Sequence, residues 1–288
     1  MLSMQQWQAA QKETAPAWRL LDTGYQNGAL NMGIDEAILL AHAAGTVPPT
    51  LRFYGWQPRA VSLGYFQHAH QEIDFDACAA QGIDIVRRLT GGRAVLHSAE
   101  LTYSIVLSEA YPGLPPSITA SYQYLSQGLL AGIQKLGLDA RLTMPAAAYS
   151  LRRHTPASAA CFDSPSHYEL TVQGRKLIGS AQVRKQGLIL QHGSILLDFD
   201  PAELTGIFNL QADAKLRMQD LLRRRVISLK EALGRLPAYA EVRNALITGF
   251  TTALQLELQP GTLTTAELQQ AQLLAREKYG QAAWLTKR

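Results

Sequence analysis

Cysteine is scarce in this sequence, and long apolar runs are absent from it. Only two cysteines, Cys78 and Cys161, occur among 288 residues. Two are too few for a disulfide framework, and neither has a second metal ligand nearby at zinc-site spacing. The glutamine-rich first twenty residues hold no apolar stretch of signal-peptide length, and no later stretch is long enough to span a membrane. We therefore predict a cytoplasmic protein with no structural metal and no membrane partner.

The charge is modest but unevenly distributed. The formal net charge is only +4, yet basic residues cluster at Arg152-Arg153, Arg184-Lys185 and Arg223-Arg224-Arg225. Such patches attract acidic partners, of which nucleic acid and an acidic carrier protein are the two candidates. No aromatic residues are interleaved with these basic residues, and no nucleic-acid-binding module is recognisable. The sequence therefore favours a protein partner and predicts no binding of nucleic acid.

Hydrophobic periodicity and turn residues predict the secondary structure. A helix is expected over 31–44, with Asn31 as a possible cap and Gly45 at its end, and a long amphipathic helix over 117–136. Segments rich in β-branched and aromatic residues predict strands at 51–54, 60–64, 83–88, 94–97, 101–107, 168–172, 176–183 and 188–197. The turn at Gln173-Gly174 joins two of these strands into a hairpin.

After Asp198 the sequence pattern predicts helices in place of strands. Three helix N-terminal signatures follow: Asp200-Pro201 with Glu203, Ser228 with Glu231, and Thr264 with Glu267. Strands grouped first and helices grouped last indicate an α+β fold. We expect a catalytic core over 1–200 and a helical C-terminal portion over 201–288 packed on that core.

The pair Gly91-Gly92 lies between two predicted strands and is flanked by arginines. Glycines there permit either an ordinary hairpin turn or a close approach of the backbone to a ligand. Arg87, Arg88 and Arg93 could surround an anionic or carbonyl-bearing ligand, or could be solvated. His97 could likewise face a pocket or be a satisfied core histidine.

Cys161 and Lys176 are candidates for thiol chemistry. Strand alternation places Lys176 on one face with Ile178, Ser180 and Gln182, where it could be an exposed lysine or a pocket lysine. Cys161 follows the long stretch 144–160, whose length is typical of lids and binding loops. A lone cysteine is more often a small buried hydrophobe, as expected for Cys78. A nearby cation would activate the thiol, and Lys176 follows Cys161 by 15 residues across one hairpin.

Several ordered motifs together resemble the lipoate-protein ligase and octanoyltransferase superfamily. The motifs lie at 87–97, 100–104, 161–163, 168–170, 174–176, 179–182 and 191–194. Residues 31–37, 52–56 and 278–284 also resemble the branch of cysteine-dependent octanoyltransferases found in Gram-positive bacteria. Ordered motifs spread along the chain are far more specific than any one of them.

The resemblance implies a fold, namely the mixed sheet flanked by helices that biotin ligases share, with the acyl chain in a tunnel behind the glycine pair. It implies that Cys161 accepts octanoyl from acyl-carrier protein as a thioester. It also implies that Lys176 positions the reacting groups and activates the Cys161 thiol. The residues implied to bind substrate are Arg87, Arg88, Gly91, Gly92, Arg93, His97, Ser180, Gln182, His192, Gly193 and Ser194.

The resemblance also implies partners. The acceptor is expected to be the target lysine of the glycine-cleavage H protein or another lipoyl domain, with no cofactor and no ATP. The alternatives are an amidotransferase that moves octanoyl between lipoyl domains, an ATP-dependent lipoate ligase, and a catalytically silent acyl- or biotin-binding module. The presence of Cys161 argues against the ligase, and Cys161 together with Lys176 argues against the silent module.

Overall fold

A computed structural model describes residues 17–143 and 169–288. Its strands are β1 (Trp18–Gln26), β2 (Thr50–Trp56), β3 (Ala60–Leu63), β4 (Asp84–Arg87), β5 (Val95–His97), β6 (Glu100–Ser108), β7 (Ala140–Thr143), β8 (Glu169–Val172), β9 (Arg175–Lys185), β10 (Leu188–Leu196) and β11 (Leu258–Pro260). Its helices are α1 (Gly28–Ala43), α2 (Ala69–Glu72), α3 (Phe75–Ala80), α4 (Ile118–Lys135), α5 (Pro201–Gly206), α6 (Ala212–Arg225), α7 (Leu229–Leu233), α8 (Tyr239–Leu254), α9 (Thr265–Leu274) and α10 (Ala282–Leu285), with a π-helical turn at Ala275–Tyr279.

Two sheets organise these elements. Eight strands form a mixed sheet in the order β11-β1-β2-β6-β10-β9-β8-β7, and a smaller sheet has the order β4-β3-β5. In the large sheet β1 runs parallel to β2 and β11, while β6, β10, β9, β8 and β7 follow one another antiparallel. The predicted α+β class, a mixed sheet flanked by helices, is confirmed.

Helices cover both faces of the large sheet. On one face α4 and α8 pack on the main apolar core, and they cross so closely that a Cβ on Gly249 would lie 2.2 Å from the backbone nitrogen of Gly132. On the other face, Ile34 and Ile38 of α1 pack against Leu190 of β10. The face with α1 also meets the small sheet, and the cleft described below lies there.

The residues after 200 are tied to the β1 edge of the large sheet. Strand β11 pairs with β1, and the guanidinium of Arg19 donates to both carboxylate oxygens of Glu267 at 2.5 and 2.8 Å. This portion is therefore helical with one strand in it. The predicted division at residue 200 stays a prediction.

Most predicted elements are confirmed with small shifts of their ends, but the start of α1 was predicted wrongly. The helix begins at Gly28 and is capped by Asn27, whose side chain accepts from the amide of Leu30. Asn31 is buried inside the helix and donates to the carbonyl of Gly55. Strands β1, β7 and β11 were not predicted, and none of the described helices is long and apolar enough to cross a membrane.

Candidate active site

A cleft lies between the large sheet and the small sheet. Its empty volume, counted to its open mouth and including solvent there, is about 350 Å³. The lining is mostly apolar with a few convergent polar groups. It consists of Met32, Tyr54, Trp56, Ser62, Arg88, Val95, His97, Thr102, Gly179, Ser180, Ala181, His192, Gly193 and Ser194.

Small residues on β9 and β10 make room for this cleft. Ala181 pairs with His192 and Gly179 pairs with Ser194 across the two antiparallel strands. Directly paired residues lie on the same face of a sheet, so all four belong to the cleft face. Glycine and alanine at these positions leave the space above the sheet unfilled.

The neighbouring polar residues of β9 belong to the opposite face. The hydroxyl of Tyr103 donates to Ser180 Oγ at 2.8 Å, and the amide of Gln182 donates to Gln191 Oε1 at 3.1 Å. Gln182 also lies near Ser121 of α4. Ser180 therefore borders the cleft with its hydroxyl engaged on the helical side, and Gln182 does not line the cleft.

A β-bulge sets the direction of Lys176. Thr171 pairs with Lys176, whereas Leu170 pairs with Ile178, so Leu177 is an extra residue on β9. Because paired residues share a face and Leu170 and Thr171 alternate, Lys176 lies on the face opposite Ile178. Bulges are frequent beside active sites, where they redirect one side chain.

Lys176 therefore shares the cleft face with Gly179 and Ala181, not with Ile178. The predicted alternation was wrong for Lys176 because it assumed an unbroken strand. The side chain is only 4% exposed, and its Nζ donates to Glu169 Oε1 at 3.0 Å. The alternative of an exposed lysine is therefore wrong. Cys161, eight residues before Glu169 in the sequence, lies outside the described residues.

Asp35 of α1 is the centre of a buried polar network. Its carboxylate accepts from Arg52 at 2.7 Å, Ser104 at 2.8 Å and Tyr54 at 3.1 Å. His192 Nδ1 lies 3.3 Å from the second carboxylate oxygen. Burial raises the pKa of Asp35, but the charge of Arg52 and the hydrogen bonds of His192 and Ser104 more than offset it, so the pKa falls below its ordinary value. Asp35 is ionised and orients His192.

A second carboxylate and histidine pair lies across the cleft. His97 Nε2 lies 2.8 Å from Ser62 Oγ, and its Nδ1 lies 3.6 Å from Glu100 Oε1. The imidazole stacks on Trp56 with ring centroids 3.9 Å apart. Burial lowers the pKa of His97. The ring is therefore neutral at pH 7.

Arg88 bridges the two histidine pairs. Its Nε donates to Thr90 Oγ1 at 3.1 Å, and Thr90 Oγ1 lies 2.6 Å from His192 Nε2. Its NH1 donates to the backbone carbonyl of Ser62 at 2.7 Å. Its NH2 donates to the carbonyl of Gly91 at 2.8 Å. Most of the hydrogen-bond donors of Arg88 thus hold the glycine turn and the adjoining strand in place at the cleft wall.

The other two arginines of that segment have different surroundings. Arg87 is buried and donates to the backbone carbonyls of Leu285 at 2.7 Å and Gly64 at 2.9 Å. Arg93 NH1 lies 4.0 Å from a carboxylate oxygen of Glu72 at a partly exposed position. Neither arginine lines the cleft.

The predicted substrate residues thus divide into two groups. Those that line the cleft are Arg88, His97, Ser180, His192, Gly193 and Ser194, and those that do not are Arg87, Gly91, Gly92, Arg93 and Gln182. Gly92 adopts φ +91° in the turn beside Arg88, which explains the need for glycine there. A role of either group in binding substrate stays a prediction.

Several residues of the site could not be assigned a role from the sequence alone. Ser62, Trp56 and Thr102 line the cleft, and Asp35 supports it from α1. Asp35 lies in the family-like segment 31–37 and beside Ile34 on the apolar side of a predicted helix, but neither signal assigned it a role in the site. Glu169 lies in the motif 168–170, but its pairing with Lys176 could not be predicted because it depends on the bulge.

Some polar atoms at the cleft remain available to a ligand. Ser194 Oγ is buried and forms no hydrogen bond within the described ranges, and His97 Nδ1 has only the carboxylate of Glu100, at 3.6 Å. Such atoms carry a desolvation cost that a bound carbonyl or hydroxyl could relieve. Within residues 17–143 and 169–288, no three histidine, cysteine or acidic side chains gather as metal ligands would. The arrangement suits an apolar chain with a polar group at one end.

Comparison with known proteins defines the class. The family model of the lipoyl protein ligase A/B catalytic domain matches residues 27–251, so the chain belongs to this family. The octanoyltransferase LipM of Kyrpidia tusciae is 51% identical over 264 residues, covering 90% of this chain and 95% of that protein. The octanoyltransferase LipM of Bacillus subtilis is 43% identical over 280 residues, covering 96% of this chain and all of that protein.

A solved structure agrees with the family. The bipartite lipoate protein ligase of Thermoplasma acidophilum, studied with its E2 lipoyl domain, superposes with a TM-score of 0.76 at 27% identity and covers 94% of this chain and 96% of that chain. The protein is therefore an acyltransferase of the lipoyl protein ligase A/B family.

Proposed function

We propose that the protein moves an octanoyl group from acyl-carrier protein to the target lysine of a lipoyl-carrier protein through a thioester on Cys161. The observation that carries the proposal is the buried Lys176, paired with Glu169 on the cleft face of β9. Strand β8, which begins at Glu169, directly follows the stretch of sequence that contains Cys161. The names of the two LipM relatives support octanoyl as the acyl group.

The reaction takes place as two successive acyl transfers. The Cys161 thiolate attacks the carbonyl carbon of the octanoyl thioester, and the carrier leaves as its thiolate. The neutral amine of the acceptor lysine then attacks the new thioester, loses one proton to solvent, and releases the Cys161 thiolate. The ammonium of Lys176 favours the thiolate, which is the nucleophilic form of cysteine. The thioester supplies the driving force, so no ATP and no cofactor is needed.

The cleft supports this assignment of substrate. Its floor of Gly179 and Ala181 and its walls of Met32 and Val95 suit a saturated chain. The acceptor is proposed to be the glycine-cleavage H protein or another lipoyl domain, in agreement with the lipoyl domain studied with the Thermoplasma ligase. Both reactions are assigned to the cytoplasm.

An intact-mass experiment separates this function from its alternatives. The purified chain is mixed, in parallel, with octanoyl-acyl-carrier protein, with an octanoylated lipoyl domain, and with octanoate plus ATP. The expected result is a gain of one octanoyl group from the first donor alone, without ATP. The adduct is removed by hydroxylamine and is absent in Cys161→Ser.

The other outcomes reject the proposal in distinct ways. An adduct formed only from the octanoylated lipoyl domain would identify an amidotransferase between lipoyl domains. With an unmodified lipoyl domain added to each mixture, octanoylation of that domain only in the presence of octanoate and ATP would identify a ligase. No covalent adduct with any donor would leave a module that binds acyl groups without chemistry. Cys78→Ser is the control, because Cys78 is fully buried in the core around α3.

A further inference from the structure

A basic and aromatic patch lies beside the glycine turn. We define it by Tyr65, Phe66, Lys185, Lys287 and Arg288. Phe66 is 67% exposed, and the guanidinium carbon of Arg288 lies 5.6 Å from the centroid of its ring. Lys287 Nζ lies 3.4 Å from the centroid of the Tyr65 ring. An exposed aromatic side chain among cations is typical of a protein-binding surface.

The patch carries positive charge without neutralising partners. Lys185, Lys287 and Arg288 form no ion pair with a carboxylate among the residues whose placement is described. Lys278, which also borders Trp284, is by contrast paired with Glu36 at 2.6 Å. The hydrogen bond and charge of Lys287, together with Arg288 and Lys185, lower the pKa of Tyr65. An acidic surface would therefore be attracted here.

The patch is fixed to the body of the protein. Trp284 Nε1 donates to the carbonyl of Arg87 at 2.9 Å. The buried guanidinium of Arg87 donates in return to the carbonyl of Leu285 at 2.7 Å. These two bonds fix α10 to β4 directly before Lys287 and Arg288, and Arg87 also donates to the carbonyl of Tyr65 at 3.1 Å. The backbone that carries the patch is therefore largely pre-formed for a partner.

One glycine turn separates the patch from the cleft. A Cβ on Gly91 would lie 3.8 Å from the ring of Phe66, and a Cβ on Gly92 would lie 4.0 Å from the Cβ of Ala181. Ala181 lines the cleft. Lys176 lies five residues from Ala181 along β9, which corresponds to about 16 Å of extended chain.

We propose that this patch docks the acidic carrier protein that delivers the acyl group; the inference rests on the proposed function. The distance from the patch along the cleft to Lys176 indicates which protein docks there, the carrier that donates the acyl group or the protein that accepts it. An acyl group on the end of a flexible prosthetic arm spans the length of the cleft from the patch to Lys176. A lysine side chain on an acceptor seated at the same place is too short to do so.

The test compares a protein-borne donor with a carrier-free donor. Adduct formation is measured by intact mass over a range of concentrations of octanoyl-acyl-carrier protein and, separately, of octanoyl-pantetheine. In Lys185→Glu/Arg288→Glu, the concentration of carrier at half-maximal rate should rise about tenfold or more, while the rate with octanoyl-pantetheine stays within about twofold of wild type. Phe66→Ala should weaken carrier binding in the same selective way.

A matched control places the same charge change elsewhere. Lys135→Glu/Arg235→Glu alters two exposed basic residues on the helical side of the large sheet, which packs on the main apolar core, and should leave both donors unaffected. The proposed docking site would be wrong if the patch variant lost the same rate of adduct formation with both donors, or lost none with either. It would also be wrong if the patch variant lost an RNA-binding activity while its use of carrier was unchanged. No adduct from either donor in the wild type would overturn the proposed function itself, and this inference with it.

Discussion

Lys176 is a buried cation on a strand whose neighbouring residues form the floor of an apolar cleft. Strand alternation alone directs it away from Gly179, and only the extra residue at Leu177 turns it toward the cleft. The sequence could supply lysine as a candidate but not its direction, because a bulge is set by tertiary pairing with β8. Glu169 becomes its partner for the same reason.

The buried carboxylate of Asp35 gives a prediction for stability. In Asp35→Asn the fully buried Arg52 loses its counter-charge, which should lower the free energy of unfolding at pH 7 by about 3 kcal/mol. The pKa of Asp35 is depressed in the folded state, so its stabilising effect is complete above its ordinary pKa of about 3.9 and is lost as the pH falls below that value. Urea unfolding followed from pH 7 to pH 3 measures the difference.

Ser104→Ala is the control for that prediction. It removes one neutral donor to Asp35 and should cost about 1 kcal/mol at every pH. A gap between wild type and Asp35→Asn that stays constant down to pH 3, or is below 1 kcal/mol at pH 7, would show that Asp35 is not the charged centre of the network.

At the scale of secondary-structure elements, the helices and strands with clear local sequence signals were the ones that could be predicted. Asp200, Ser228 and Thr264 cap the helices that their sequence signatures indicate. The unpredicted strands have weaker local signals. Three-residue β11, for example, contains a proline and exists because it pairs with β1 at the edge of the sheet.

The crossing of α4 and α8 depends on glycines that sequence periodicity treats only as weak helix formers. Gly249→Ala would place its Cβ 2.2 Å from a backbone atom of Gly132, and backbone cannot move aside cheaply. We expect a loss of about 1 to 3 kcal/mol in the free energy of unfolding, measured by urea denaturation.

Gly206→Ala is the matched helical control. The nearest atom to its Cβ would be the side-chain nitrogen of Gln81 at 3.9 Å. With space available, alanine should be neutral or stabilise by up to about 1 kcal/mol. If Gly249→Ala were equally harmless, the close helix crossing would be wrong.

At the scale of the whole molecule, the motifs found along the sequence come from both sheets and from α1. Sequence order could not reveal that Arg88, His97 and His192 line one cleft, or that Arg87 instead donates to a backbone carbonyl of α10. It also could not reveal that the residues after 200 share the large sheet. These are consequences of tertiary pairing, not of local pattern.

This interleaving predicts cooperative unfolding. Because β11 completes the sheet and Arg19 pairs with Glu267, the core and the C-terminal portion should unfold in one transition. Urea titrations followed by far-UV circular dichroism and by tryptophan fluorescence should give coincident curves for the full chain. Two resolved transitions would mean that the portion after residue 200 is an independently stable domain.

The central claim is that Cys161 is a reactive thiol activated by Lys176, and alkylation of the native protein tests it most directly. Iodoacetamide labelling is followed by peptide mass across pH 5 to pH 10. Cys78 is the internal reference, because burial and then the charge of Asp74 raise the pKa of its thiol to about 11.

We expect that Cys161 alone is labelled, with a midpoint below the ordinary thiol pKa of about 8.5. Lys176→Met should move that midpoint upward, while Lys185→Met, an exposed lysine on the same strand, should leave it unchanged. The contrary result is a midpoint at or above 8.5 that Lys176→Met does not alter, which would dissociate the lysine from the thiol.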